Sequence, residues 1–118
     1  MSGEIRWNVF RAALGSGEGS EQTGQRPVLI ISGDAYNQVM PVVTILPLTS
    51  LKPGRRVYSN EALLPRGEAN LPEDSLVLAH QVRTISKTRL RGLYGSVASL
   101  ETRRKVEAAL KIHLGLEE

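Results

Sequence analysis

The chain has 118 residues, 41% of them hydrophobic, with no cysteine, two histidines and a formal charge of +3. That length fits one domain, 1–118, and folding should bury roughly two thirds of the unfolded surface, enough for a core without staples. The composition excludes a disulfide framework and any thiolate metal or redox site, and two histidines far apart in sequence argue against a metal centre. The mild basicity suits an anionic partner without identifying one.

The opening MSGEIRWNVF lacks the layout of a secretion signal, and no run of about 18 apolar residues occurs anywhere. A soluble, cytoplasmic protein with no membrane role is expected. Ile5, Trp7 and Val9 alternate with Glu4, Arg6 and Asn8, which predicts a half-buried strand over 4–10. The next stretch, about 11–25, carries four glycines and no apolar period, so it reads as a mobile loop of functional length. RPVLIIS and VVTILPLTS are continuous apolar runs that predict two central strands, the second from Val42 to Pro47 or just beyond, joined by GDAYNQVMP, a connector with room for one helical turn.

Prolines and glycines then place the short apolar pieces Val57–Tyr58 and Ala62–Leu64 in a hairpin of edge strands. SLVLAHQVRTI predicts one long strand from Ser75 to Ile85, SKTRL a short helical turn, and GLYGSVA a last strand carrying Leu93 and Val97. Ser99 can cap a helix that buries Val106, Leu110 and Leu114, with Ala109 and His113 beside them, and Gly115 can end it. The pattern is mainly β with a C-terminal α-helix, five to seven short strands forming a small barrel. Connections too short for crossover helices exclude a doubly wound α/β fold.

Three stretches read together, GEIRW, GSEQTGQRPVLIIS, and TILPLTS followed by SLVLAHQVRTISKTRL, resemble the MazF/PemK family of toxin endoribonucleases over nearly the whole chain. The resemblance implies an SH3-like barrel, a homodimer, and a cognate MazE-like antitoxin. It also implies metal-independent, sequence-specific cleavage of single-stranded RNA, leaving a 2′,3′-cyclic phosphate or 3′-phosphate and a 5′-OH, with no cofactor. The chain departs from the family pattern in GSGE, residues 15–18, which precedes GSEQ and lengthens the first loop.

Such cleavage uses the ribose 2′-hydroxyl as nucleophile, so the protein must help remove its proton, stabilise charge on the phosphoryl oxygens and assist the 5′-oxygen. Arg26 matches the family's catalytic arginine, and its planar fork can hold two phosphoryl oxygens. The family's arginine is also given an acid or base part, which a guanidinium resists. Glu21, from GSEQ, offers an acceptor for the 2′-proton or a partner that orients Arg26. Thr49, ending PLTS, supplies a hydroxyl, Ser50 stands beside it to contact RNA, and the amides of Gln22 and Gln81 can read an unstacked base.

Other readings compete. The same fold serves CcdB-like toxins, which bind DNA gyrase without hydrolysing anything, and a third reading is a barrel that binds RNA or protein without catalysis. The GSEQ, RP and PLTS pattern belongs to the nuclease branch. His80 suggests a general base, but it lies in an apolar run outside the motif residues and reads instead as a packed or surface histidine; His113, on the helix face, reads as structural. Arg83, Lys87, Arg89 and Arg91 form a basic run suited to steering RNA, to an antitoxin contact or to plain solvation.

Overall fold

A computed structural model describes residues 3–116. Its strands are β1 (Asn8–Ala13), β2 (Gln25–Ile30), β3 (Val42–Ser50), β4 (Glu61–Leu64), β5 (Ser75–Leu78), β6 (Arg83–Ser86) and β7 (Leu90–Ser96); its helices are α1 (Asp34–Asn37) and α2 (Leu100–Leu114). All paired strands run antiparallel, in the order β4-β5-β3-β2-β1-β7, and β6 also pairs with β3. The ends of this sheet meet: Asn70, in a tight turn after β4, donates from Nδ2 to Tyr94 O on β7 at 2.9 Å. That closure gives the small barrel expected from the short strands.

Strand alternation sorts the apolar side chains into two clusters. Leu29, Leu46, Leu48 and Val77 pack with Val106 and Ala109 beneath α2, whereas Val28, Ile30, Val43, Ile45 and Ile85 pack with Ala12 and Leu14 on the other face. With each fully buried Val, Leu or Ile contributing roughly 1.5–3 kcal/mol, these central strands dominate the stability of the fold. The helix is capped at both ends: Ser99 Oγ accepts from Thr102 N at 3.2 Å, and Gly115 takes the left-handed φ of 69° that ends it.

The structure departs from the sequence reading in six places. The first strand begins at Asn8, because the Asp34 carboxylate accepts from Ile5 N and Arg6 N and Trp7 turns to φ 72°, its ring between the guanidinium groups of Arg6 and Arg103. The loop expected over 11–25 is shorter, since β1 runs to Ala13 and β2 starts at Gln25. Val57–Tyr58 forms no strand; Tyr58 bends toward Glu61, and β4 pairs with β5 alone. The helix buries Thr102, Val106 and Ala109, while Leu114 and His113 emerge into solvent as its last turn leaves the sheet. Leu93, expected to pack, is 60% exposed.

The remaining difference lies in the long strand expected from Ser75 to Ile85. It is broken by a 3₁₀ turn at Ala79–Gln81. Ile45 pairs with Arg83 and Leu48 with Val77, so two β3 residues, Leu46 and Pro47, face five residues, 78–82. Pro47 has no N–H to give a ladder, and the surplus residues loop out as bulges do. This break turns His80 and Gln81 out of the sheet toward the loop after β1.

Candidate active site

The β2–β3 pair positions the two residues expected at the centre of the chemistry. Val28 lies opposite Pro47 in the ladder. Arg26 stands two residues beyond Val28 and Thr49 two beyond Pro47, so both project at the same end of the pair and, by alternation, from the same face. Arg26 Nε donates to Thr23 O at 3.0 Å, a bond that leaves the terminal nitrogens of its fork uncommitted.

Four of the six expected site residues surround one cavity of about 410 Å³: Gln22, Thr49, Ser50 and Gln81, together with Lys52 and Arg55. A neighbouring cavity of about 500 Å³ is lined by Glu21 and Arg83 and shares Ser20, Gln22, His80 and Gln81 with the first. The two form one cleft along the loop. Arg26 lines neither part of it. It stands on β2 at the foot of the loop that carries Gln22 into the cleft.

The loop is held in place chiefly by one side chain. Leu14 N donates to Gly24 O and Gly24 N to Gly15 O, closing the hairpin at its base. Above that, Gln81 Oε1 accepts from Gln22 N at 2.8 Å and Gln81 Nε2 donates to Ser20 O at 2.9 Å. Both ends of the Gln81 amide are therefore engaged, so a base can be read by Gln81 only in exchange for the loop. Gln22 Oε1, in contrast, is buried and has no hydrogen-bond partner among the described residues. An unmatched buried acceptor costs about 1–3 kcal/mol, a penalty that an incoming donor would relieve.

The four residues that lengthen the loop have a local use. Glu18 N donates to Glu21 Oε1 at 2.7 Å, and a side chain at Gly17 would sit 2.6 Å from that same oxygen. Glycine at 17 leaves the Glu21 carboxylate room in this position; a side chain there would make its end shift. Glu21 is thus seated on GSGE, and the structure gives it no hydrogen bond to Arg26.

The matched family description is that of the PemK-like, MazF-like toxin of type II toxin-antitoxin system, over residues 5–114. This chain belongs to that family. The endoribonuclease MazF of Staphylococcus saprophyticus is 32% identical over 111 residues, covering 94% of this chain and 91% of that relative. An endoribonuclease from a mycobacterial species, solved in complex with its cognate antitoxin, superposes with a TM-score of 0.79 at 27% identity, covering 98% and 99% of the two chains. MazF from Deinococcus radiodurans gives a TM-score of 0.76 at 27% identity, over 93% and 94%. The barrel with its C-terminal helix is the MazF fold, and the chain is a MazF-type endoribonuclease toxin.

Within this MazF-type barrel, sequence reasoning missed a charged cluster on the far wall of the cleft. Glu61, whose side chain is only 2% exposed, accepts from both terminal nitrogens of Arg55 at 2.8 Å and from Tyr58 N at 3.1 Å, and lies 3.2 Å from His80 Nε2. Hydrogen bonds from Arg55 hold its carboxyl down at about 2, against the opposing effect of burial, with Tyr58 N–H and His80 adding to the lowering. The signal was faint: Arg55 and Glu61 sit in a Pro- and Gly-rich stretch, with His80 nineteen positions on. The basic run does not form a single stripe. Arg83 lines the cleft, Lys87 lines a separate apolar cavity beside Ile5 and Phe10, Arg89 donates to Ala13 O and Arg91 to Thr88 O.

Proposed function

We propose that this toxin cuts single-stranded RNA at a short sequence without a metal, by attack of a ribose 2′-hydroxyl on the adjacent phosphorus, leaving a 2′,3′-cyclic phosphate or 3′-phosphate and a 5′-OH. The observation that carries this reading is the convergence of Gln22, Thr49, Ser50 and Gln81 on one cavity, with Arg26 and Thr49 at the same end and face of the β2–β3 pair. In it, Arg26 binds the phosphoryl oxygens and Thr49 donates to one of them. Glu21 steers Arg26 or accepts a proton once released from Glu18 N, and Ser50 contacts the backbone. Gln22 offers its unmatched carbonyl to a base donor, and Gln81 joins it when the loop yields.

The chain acts as one domain, 1–118, with the loop within 11–25 moving to admit RNA. It works as a homodimer in the cytoplasm, since two shallow clefts related by a twofold axis make one longer groove. A MazE-like antitoxin neutralises it, as the antitoxin-bound mycobacterial neighbour supports. Among the described residues no helix is long and apolar enough to cross a membrane. The test is incubation of purified protein with mixed RNA in excess chelator, followed by mapping of the new ends. Cuts at one short motif with 5′-OH termini are expected; intact RNA would favour the gyrase-binding or non-catalytic readings.

A further inference from the structure

The site so described holds phosphate and hydroxyl partners but lacks a committed proton acceptor. A guanidinium is not deprotonated in proteins, so Arg26 is a poor base, and the Glu21 carboxylate has one oxygen tied to Glu18 N–H on the loop. Efficient removal of a 2′-proton needs a base within hydrogen-bond reach of it. A second side chain on the cleft, His80, is a candidate for that part. His80 lines both halves of the cleft, and also a third cavity of about 710 Å³ that runs past Asn60 to the end of α2. Thr49 shares the first of these with it.

The surroundings of His80 fix its ring. Its Nε2 faces Glu61 Oε2 at 3.2 Å, and that carboxylate is itself immobilised by the Arg55 fork and Tyr58 N–H. A carboxylate at Nε2 keeps the proton on that nitrogen and leaves Nδ1 as the basic one, the orienting arrangement seen wherever a buried acid directs an imidazole. The charged or titratable groups around the ring are Glu61 from β4, Arg55 and Tyr58 from the preceding loop, Lys52 from the stretch after β3, and His113 from α2, its ring centroid 6.2 Å away; Glu21 and Arg83 line the cavity beside it. From β3 come the uncharged Thr49 and Ser50.

Resting on the RNA-cleavage reading above, we propose that His80 is the general base and Glu61 the positioning residue that sets its tautomer. Nδ1 of His80 takes the 2′-O–H proton as the O2′–P bond forms. The P–O5′ bond breaks, its electron pair leaving with O5′, which takes a proton from water; the imidazolium then returns its proton to the solvent.

The test is single-turnover cleavage of an oligoribonucleotide that the unaltered protein cuts, from pH 5 to 9, compared with His80→Gln and His80→Gly. Binding of the same oligonucleotide with a 2′-deoxy sugar at the cut site is followed in parallel. Loss of about 10²- to 10⁴-fold in rate is expected, with binding kept within about twofold, the rise in rate between pH 5 and 8 abolished, and partial rescue of His80→Gly by added imidazole. A 5′-bridging sulfur, which leaves without acid help, should not rescue His80→Gln; rescue would make the residue an acid and overturn the assignment. An unchanged rate and pH profile in His80→Gln would also overturn it. Failure of the unaltered protein to cut any RNA would instead remove the reading on which the assignment rests.

Discussion

The two walls of the cleft are built from different materials. On one side the loop between β1 and β2 is held by its hairpin base and by the two neutral hydrogen bonds of Gln81 to Gln22 N and Ser20 O. On the other, Glu61 ties Arg55, Tyr58 and His80 together through charge-assisted bonds to a buried carboxylate. Neutral bonds near solvent contribute about 1 kcal/mol each and are readily exchanged for a ligand, while a desolvated carboxylate with several donors is costly to disturb. The contrast assigns adaptation to the loop and a fixed reference geometry to the Glu61 wall. A nuclease that must admit a strand and then align one phosphodiester needs both.

The sharpest way to break this division is to change residues that act on RNA without supporting the fold. Arg26→Ala and Thr49→Ala should each lower the cleavage rate by 10²-fold or more, about the cost of losing one preorganised charge-stabilising donor, and leave the thermal midpoint near that of the parent. Calorimetry beside a cleavage assay checks this; parental cutting by Arg26→Ala would remove the site. On the opposite wall the balance should reverse. Glu61→Ala deprives Tyr58 N–H and Arg55 of their acceptor, and a loss of about 1–3 kcal/mol in urea unfolding is expected from the charge-assisted bonds given up.

The same carboxylate gives a pH signature. Its folded value of about 2 lies below the ordinary 4.5, so its stabilisation is complete above about pH 4.5 and disappears as pH falls toward 2. The difference in thermal midpoint between the parent and Glu61→Gln should shrink across that window, and a constant difference would contradict the ion-pair assignment. The smallest effect should come from the loop. Gln81→Ala removes both restraints on residues 20–22, so the Gln22 amide should exchange with deuterium about tenfold faster, with little change in global stability.

What could be read from the residues, and what could not, follows the same division. The central strands β2 and β3 were legible because their burial depends on local apolar runs; β3 starts at Val42 as expected and runs on past Pro47 to Ser50. The helix and its Ser99 and Gly115 caps were legible for the same local reason. The break at Ala79–Gln81 was hidden, because it arises from a mismatch in register against Pro47 that only pairing reveals. Read as part of one strand, SLVLAHQVRTI left His80 a packed or surface side chain, whereas the turn brings it to the cleft. Likewise Arg26, Thr49 and Glu21 stood out through their motif, but that Glu21 folds onto GSGE depends on Gly17, a residue with no chemistry of its own.

The most direct measurement of the central claim uses two oligoribonucleotides that differ by one oxygen, the 2′-hydroxyl of the nucleotide before the mapped cut. Both should bind alike, and only the hydroxylated one should be cleaved, in chelator, to a 2′,3′-cyclic phosphate and a 5′-OH. Cleavage of the deoxy-substituted strand at a comparable rate would contradict the account.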